Sequence, residues 1–180
     1  MKQLLTLLVI CQMTNLATSQ TSFSASNSYL SASSSGDYTI YSNSATSLSQ
    51  IDKPFVLVEG YDTKNNNSAI NTFGYISSIL SNQLGIQLLS QGYDIIVLNF
   101  ADNGDYIQRN AFLVVELLNR INSAKQGNEQ IVVCGLNTGA IVARFALSWM
   151  EANSMSHNTR LFASIDAPNK GLNVPPSFQF

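Results

Sequence analysis

Four short apolar runs punctuate the chain: FVLV at 55–58, DIIVLNF at 94–100, QIVVCG at 130–135 and LFASID at 161–166. Each is bounded by Gly, Asn or Asp, and none alternates apolar with polar residues along its length. A strand that buries only one face must alternate, whereas one covered on both faces reads as a continuous run. The intervals between the runs carry helical spacing instead. Phe73, Ile76, Ile79, Leu80, Leu84, Leu88 and Leu89 keep one face of a first helix, weakened at Gly85 and suited to end at Gly92. Ile107, Val114, Leu117, Leu118 and Ile121 line a second helix, with Asp105 expected as its N-cap. The third, from Thr138 to about Glu151, is apolar nearly all round, interrupted by Arg144. Strand and helix alternate without exception, which dictates the α/β class: a parallel sheet flanked by helices.

The rest of the chain sets boundaries around that domain. A length of 180 residues suits one ordinary domain. The net charge is −2 and no basic patch appears, so no nucleic-acid partner is expected. Lys2 followed by the apolar stretch 4–11, with Ala17 and Ser19 as small residues around a cut, reads as a signal peptide over 1–19. The apolar run is far below the roughly 20 residues a membrane span needs. The expected location is therefore secreted or extracytoplasmic. Cys11 would leave with that peptide, so Cys134 remains alone and is expected to be a buried, small apolar side chain. Residues 20–51 are dominated by serine and are expected to form a flexible linker. Within them DYTIY (37–41) alternates well enough for a short edge strand. The tripeptide Asn66-Asn67-Ser68 is an N-glycosylation sequon in a polar loop, making Asn66 a candidate modification site.

The chemistry concentrates in IVVCGLNTGAIVARFAL, residues 131–147. A strand ends in Gly135, a turn follows, Gly139 arrives and a helix begins. Such a turn brings its flanks too close for side chains, so the two glycines serve the geometry and the residue between them projects from a strained backbone. Here that residue is Asn137. Asparagine tolerates positive φ better than most residues and caps helices well. A carboxamide does not replace an activated hydroxyl in acyl transfer.

The stretch GLNTGAIVARFAL resembles the G-x-S-x-G-G-x-V-A-R-Y-A-L segment of α/β-hydrolase lipases and esterases. With PFVLVEGYD, GYDIIVLNF, DYIQRNA and HNTRLFASIDAPNKGLNVP it is similar to a secreted, lipase-like subgroup of that superfamily, over roughly 52–180. The resemblance implies the N-terminal half of an α/β-hydrolase fold over 52–180. It places Asn137 where the family has its nucleophilic serine, with Gly135 and Gly139 as the elbow glycines. It also implies an oxyanion hole from main-chain donors, one at Thr138 and another around Gly60 and Tyr61. The family's acid and histidine lie beyond the elbow, and the sequence ends at Phe180. The chain is thus expected to be truncated relative to its family. His157 is expected on the opposite side of the sheet from the elbow, as a surface histidine. Asp166 ends a run on the elbow side, but an acid without a base completes no dyad.

These residues lead to a catalytically inactive lipase- or esterase-like homologue, either a truncated paralogue or a binding protein for a lipid or ester-like small molecule. Two alternatives remain open. One is an active carboxylic-ester or lipid hydrolase whose C-terminal half is missing from this chain. The other is a structural subunit that pairs with a partner, or with itself, through an exposed strand at 161–165. One histidine and one mature cysteine build no metal site, and no P-loop or dinucleotide fingerprint is present, so neither metal nor cofactor is expected.

Overall fold

The computed structural model of the chain describes residues 17–61, 69–78 and 83–171. The expected signal peptide up to residue 16 and the sequon at Asn66 lie outside the described residues. In chain order the elements are β1 (Ala17–Ser24), β2 (Ser35–Ser42), a 3-10 turn (Leu48–Gln50), β3 (Pro54–Val58), α1 (Ala69–Ser78), α2 (Leu84–Ser90), β4 (Asp94–Phe100), α3 (Ile107–Ala124), β5 (Ile131–Leu136), α4 (Thr138–Ala152) and β6 (Thr159–Ile165). They form one six-stranded sheet in the order β1-β2-β4-β3-β5-β6.

The four apolar runs are the four parallel strands, β4, β3, β5 and β6. In β3 and β5 every residue is buried, the condition under which alternation is unnecessary. One face of the sheet packs Val56, Ile96, Val133 and their neighbours against α3 and α4. The other packs Phe55, Leu57, Val97 and Cys134 against Phe73 and Ile76 of α1 and Leu88 and Leu89 of α2. β6 forms the edge of the sheet among the described residues. Its exposure follows, with Leu161 half open to solvent. A register shift at the start of its pairing with β5 accommodates the extra residue between Thr159 and Leu161, and Arg160 there donates to the Tyr93 hydroxyl at 2.7 Å.

Several expectations are corrected. The serine-rich stretch does not behave as a linker: β1 and β2 pair antiparallel along their whole length, and β2 pairs antiparallel with β4. The open side of β4 offers a row of backbone donors and acceptors, and a neighbouring strand can satisfy them whatever its side chains. Few apolar anchors then suffice: Phe23 on β1, and Tyr38, Ile40 and Tyr41 on β2, are all buried. Tyr41 stacks on Phe73 at 4.2 Å between ring centres. Residues 37–41 do form a strand, but β1 covers it, so it is interior rather than edge. Ala17–Ser19, expected at the end of the signal peptide, opens β1.

The first helical pattern is two helices, α1 and α2. The residue before α2, Gln83, is left-handed at φ 59°. Gly85 is the crossing point: a Cβ there would lie 2.2 Å from the Ser77 hydroxyl oxygen. The weak glycine of a single helix is therefore a contact between two. Gly92, at φ 79°, follows the end of α2 as expected. Asp105 does not cap α3 through a free N–H of its first turn. Tyr106 holds the N-cap position without a side-chain bond, and Asp105 instead pairs with Arg109 at 2.6 Å.

Candidate functional site

The carboxyl ends of β3 and β5 approach each other through glycines. A Cβ on Gly139 would stand 1.8 Å from the Glu59 carbonyl oxygen, and one on Gly135 would stand 2.3 Å from Ala140 Cα. Gly60 faces the same turn from β3: its Cβ would meet Asn137 Cβ at 3.0 Å and the Leu136 oxygen at 3.1 Å. Gly135 and Gly139 thus let α4 leave β5 sharply and nest under the end of β3. The sequence signal for this, two glycines around a three-residue turn, is mechanical.

Asn137 sits at the apex with φ 48° and ψ −122°. That backbone region is sparsely populated for residues with a side chain and persists only where neighbours over-determine it. Three hydrogen bonds do so. Its N–H donates to the Ile165 carbonyl at 2.8 Å, its carbonyl accepts from the Ala140 N–H at 3.2 Å, and its Oδ1 accepts from the Thr138 N–H at 2.7 Å. The last bond is the helix cap that asparagine was expected to supply. It engages the same Thr138 N–H that the resemblance assigns to an oxyanion hole. Asn137 itself is exposed. Beside it Tyr61 is half exposed, and the Gly60 carbonyl accepts from Asn103 Nδ2 at 3.3 Å.

Asp166 lies at the same end, directly after the Ile165 that binds Asn137, in a left-handed conformation at φ 52°. His157 does not. Thr159, just after it, pairs with Ile131 at the start of β5, whereas Ile165 pairs with Leu136 at the elbow end. The whole strand, about 20 Å at 3.3 Å per residue, separates the imidazole from Asn137. His157 Nδ1 accepts from the Thr159 N–H at 3.1 Å, and its Nε2 lies 3.3 Å from Glu151 Oε1. Those contacts close the turn between α4 and β6.

Cys134 is buried beneath the elbow, and burial pushes its thiol up to about 11, so it stays protonated and unreactive at neutral pH. Among the described residues no group of three His, Cys, Asp or Glu side chains could hold a metal ion, and no helix is long and apolar enough to cross a membrane.

Two residues of the region escaped sequence reasoning. Glu59 reads as the start of a polar turn, yet it is buried, and its Oε1 accepts the Phe100 N–H, joining the ends of β3 and β4 beneath the site. Asn110 reads as an ordinary helical position. It is buried too, accepting from Ser34 Oγ at 2.6 Å and donating to the Asp102 carbonyl at 2.9 Å. A polar residue inside an otherwise apolar helical face was the available signal for Asn110. For Glu59 there was only its position, directly after a fully apolar run.

No family model matches the sequence, and no curated protein does. Solved structures do match. Fungal esterases from Rhizomucor miehei share 11% identity at a TM-score of 0.57, over 92% of this chain and 48% of theirs. Lipase A of Candida antarctica in its closed state shares 13% identity at 0.56, over 88% of this chain and 40% of its own. A thermostable carboxylesterase cloned from a metagenomic library shares 14% identity at 0.54, over 90% of this chain and 51% of its own. At such identities the likeness is one of fold. The chain has part of the α/β-hydrolase fold and spans about half the length of these structures.

Proposed function

We infer that this chain is a lipase- or esterase-like α/β-hydrolase homologue that does not hydrolyse esters through its elbow residue. The observation that carries the reading is Asn137 itself: a carboxamide at the apex of the turn, with its oxygen held 2.7 Å from the Thr138 nitrogen. An amide nitrogen is not activated as a nucleophile by a neighbouring base in the way a hydroxyl is, and the bond to Thr138 turns the group back toward the helix. The remaining role for this end of the sheet is binding, with a lipid or ester-like small molecule as the ligand class that the fold suggests. Export through the N-terminal signal belongs to the same reading. Removal of residues 1–19 would leave Gln20 onward to pair with β2.

The test is covalent labelling. The purified protein, treated with a fluorophosphonate probe and assayed on short p-nitrophenyl esters, is expected to give no adduct and no hydrolysis above background. A probe adduct on a serine at this end of the sheet would overturn the reading and favour an active hydrolase.

A second reading rests on β6, whose outer side carries the half-exposed Leu161 and no neighbouring strand among the described residues. Open edges of this kind are templates for pairing with another chain. A lysine at position 161 would then disperse an associated form seen by light scattering. An unchanged size would remove this reading.

A further inference from the structure

The backbone that presents residue 137 also sets it up for a reaction with its own chain. Around the Cα–C bond, the residue's nitrogen and its Cβ lie about 120° apart, as a tetrahedral carbon requires. At ψ −122° the Thr138 nitrogen is therefore swung into eclipse with Asn137 Cβ. The Asn137 side chain is folded the same way, because its Oδ1 lies 2.7 Å from that nitrogen. Four atoms of a five-membered ring (Thr138 N and Asn137 C, Cα and Cβ) are thus close to one plane, and the fifth, Cγ, is held on the side of that nitrogen by its own Oδ1. Ordinary helical and extended residues hold ψ far from this value. A flexible chain reaches it only by giving up backbone freedom, which the elbow has already removed.

We propose that Asn137 is a site of spontaneous deamidation through a succinimide with Thr138. The Thr138 nitrogen loses its proton to hydroxide and attacks Asn137 Cγ. The Cγ–Nδ2 bond breaks, and Nδ2 takes a proton from water and leaves as ammonia. Water then opens the ring. Addition at Cγ restores the ordinary main chain with aspartate at position 137. Addition at the main-chain carbonyl leaves isoaspartate, with the chain running through the former side chain. Asn137 is exposed, so the residue is open to water. The outcome is a carboxylate at the elbow where the gene specifies a carboxamide.

The chain carries its own competitor. Asn103 precedes Gly104, whose lack of a side chain leaves its nitrogen the least hindered in a flexible peptide. Sequence alone therefore places deamidation at Asn103, and the folded backbone places it at Asn137. The experiment incubates the full chain in mildly alkaline buffer, folded and in concentrated urea, and follows both peptides by mass and fragmentation. The folded protein is expected to convert residue 137 about tenfold faster than the same residue in urea, the gain coming from pre-set orientation. Isoaspartate should appear among the products, a mixture that direct side-chain hydrolysis does not give. In urea Asn103 should lead. Asn137→Gln, whose ring would need a sixth member, should abolish the change at 137 while leaving Asn103 unaffected. Conversion at 137 no faster folded than unfolded, or aspartate there without isoaspartate, would overturn the proposal.

Discussion

The β1–β2 hairpin and the parallel strands β3 to β6 share one sheet but reach it by opposite compositions. β3 is PFVLV, buried at every residue, and its neighbours in the parallel half are nearly as apolar. β1 is ATSQTSFS, with Phe23 as its buried apolar anchor. The parallel half is held by side chains interlocking on two faces. The hairpin is held by ladder bonds to β4, by the few buried side chains Phe23, Tyr38, Ile40 and Tyr41, and by polar clamps to the body of the domain. At one end Asp94, buried, accepts from Ser42 Oγ and from the N–H groups of Asp52 at 3.0 Å and Lys53 at 3.4 Å. Near the other, Glu116 on α3 accepts from Ser26 Oγ at 2.6 Å and from Arg120 at 2.8 Å. A strand can therefore be bound to a sheet without carrying the composition of one.

Four measurements would break or sharpen this contrast. The largest effect belongs to the parallel half. Gly139→Ala forces a methyl into the Glu59 carbonyl and should lower stability in urea unfolding by about 4 kcal/mol or more, or prevent folding. Next comes the anchor of the hairpin. Ile40→Ala should cost about 3 kcal/mol, close to the loss from Leu57→Ala in β3, since both side chains are fully buried. A negligible loss at Ile40 would show that the hairpin is a tether after all. Asp94→Ala removes the acceptor for three donors and should cost about 2 kcal/mol.

The smallest effect is pH-dependent. Burial alone would raise the Glu116 carboxyl, but the Ser26 hydroxyl and Arg120 outweigh it and hold the group below the usual carboxylate range. A lowered value in the folded state stabilises above the unfolded carboxylate's titration and is lost as pH falls through the folded one. Glu116→Gln should therefore cost about 0.5 kcal/mol at neutral pH, with the difference from the parent shrinking in acid. A difference that grew on acidification would reverse the sign of this clamp.

The contrast also explains what could be read in advance. Burial on both faces writes itself into sequence, so the four parallel strands and the helices α3 and α4 were legible. So was the separation of His157 from Asn137, because strand direction follows from the alternation of elements. The hairpin was not legible, because backbone pairing leaves little trace in side chains and serine suits a linker equally well. The break between α1 and α2 was hidden by a pattern that kept helical spacing across it. At the site, the glycines declared the turn and Asn137 declared its cap. Asp105 misled because Arg109, one turn on, competes for the same carboxylate. The burial of Glu59 depends on the approach of Phe100, a contact that no local pattern encodes.

The sheet order has a consequence for how the molecule is made. Gly36 pairs with Phe100, so β2 finds its interior neighbour only after the whole of β3, α1, α2 and β4 has been synthesised. Until then β1 and β2 are a two-stranded ribbon, a structure of marginal stability in water. Domains dominated by such distant pairings fold slowly, because a long loop must close before its contacts return anything. β1 and β2 thus leave the ribosome well before the strand that secures them, and a chaperone holding the nascent chain would meet them still without it.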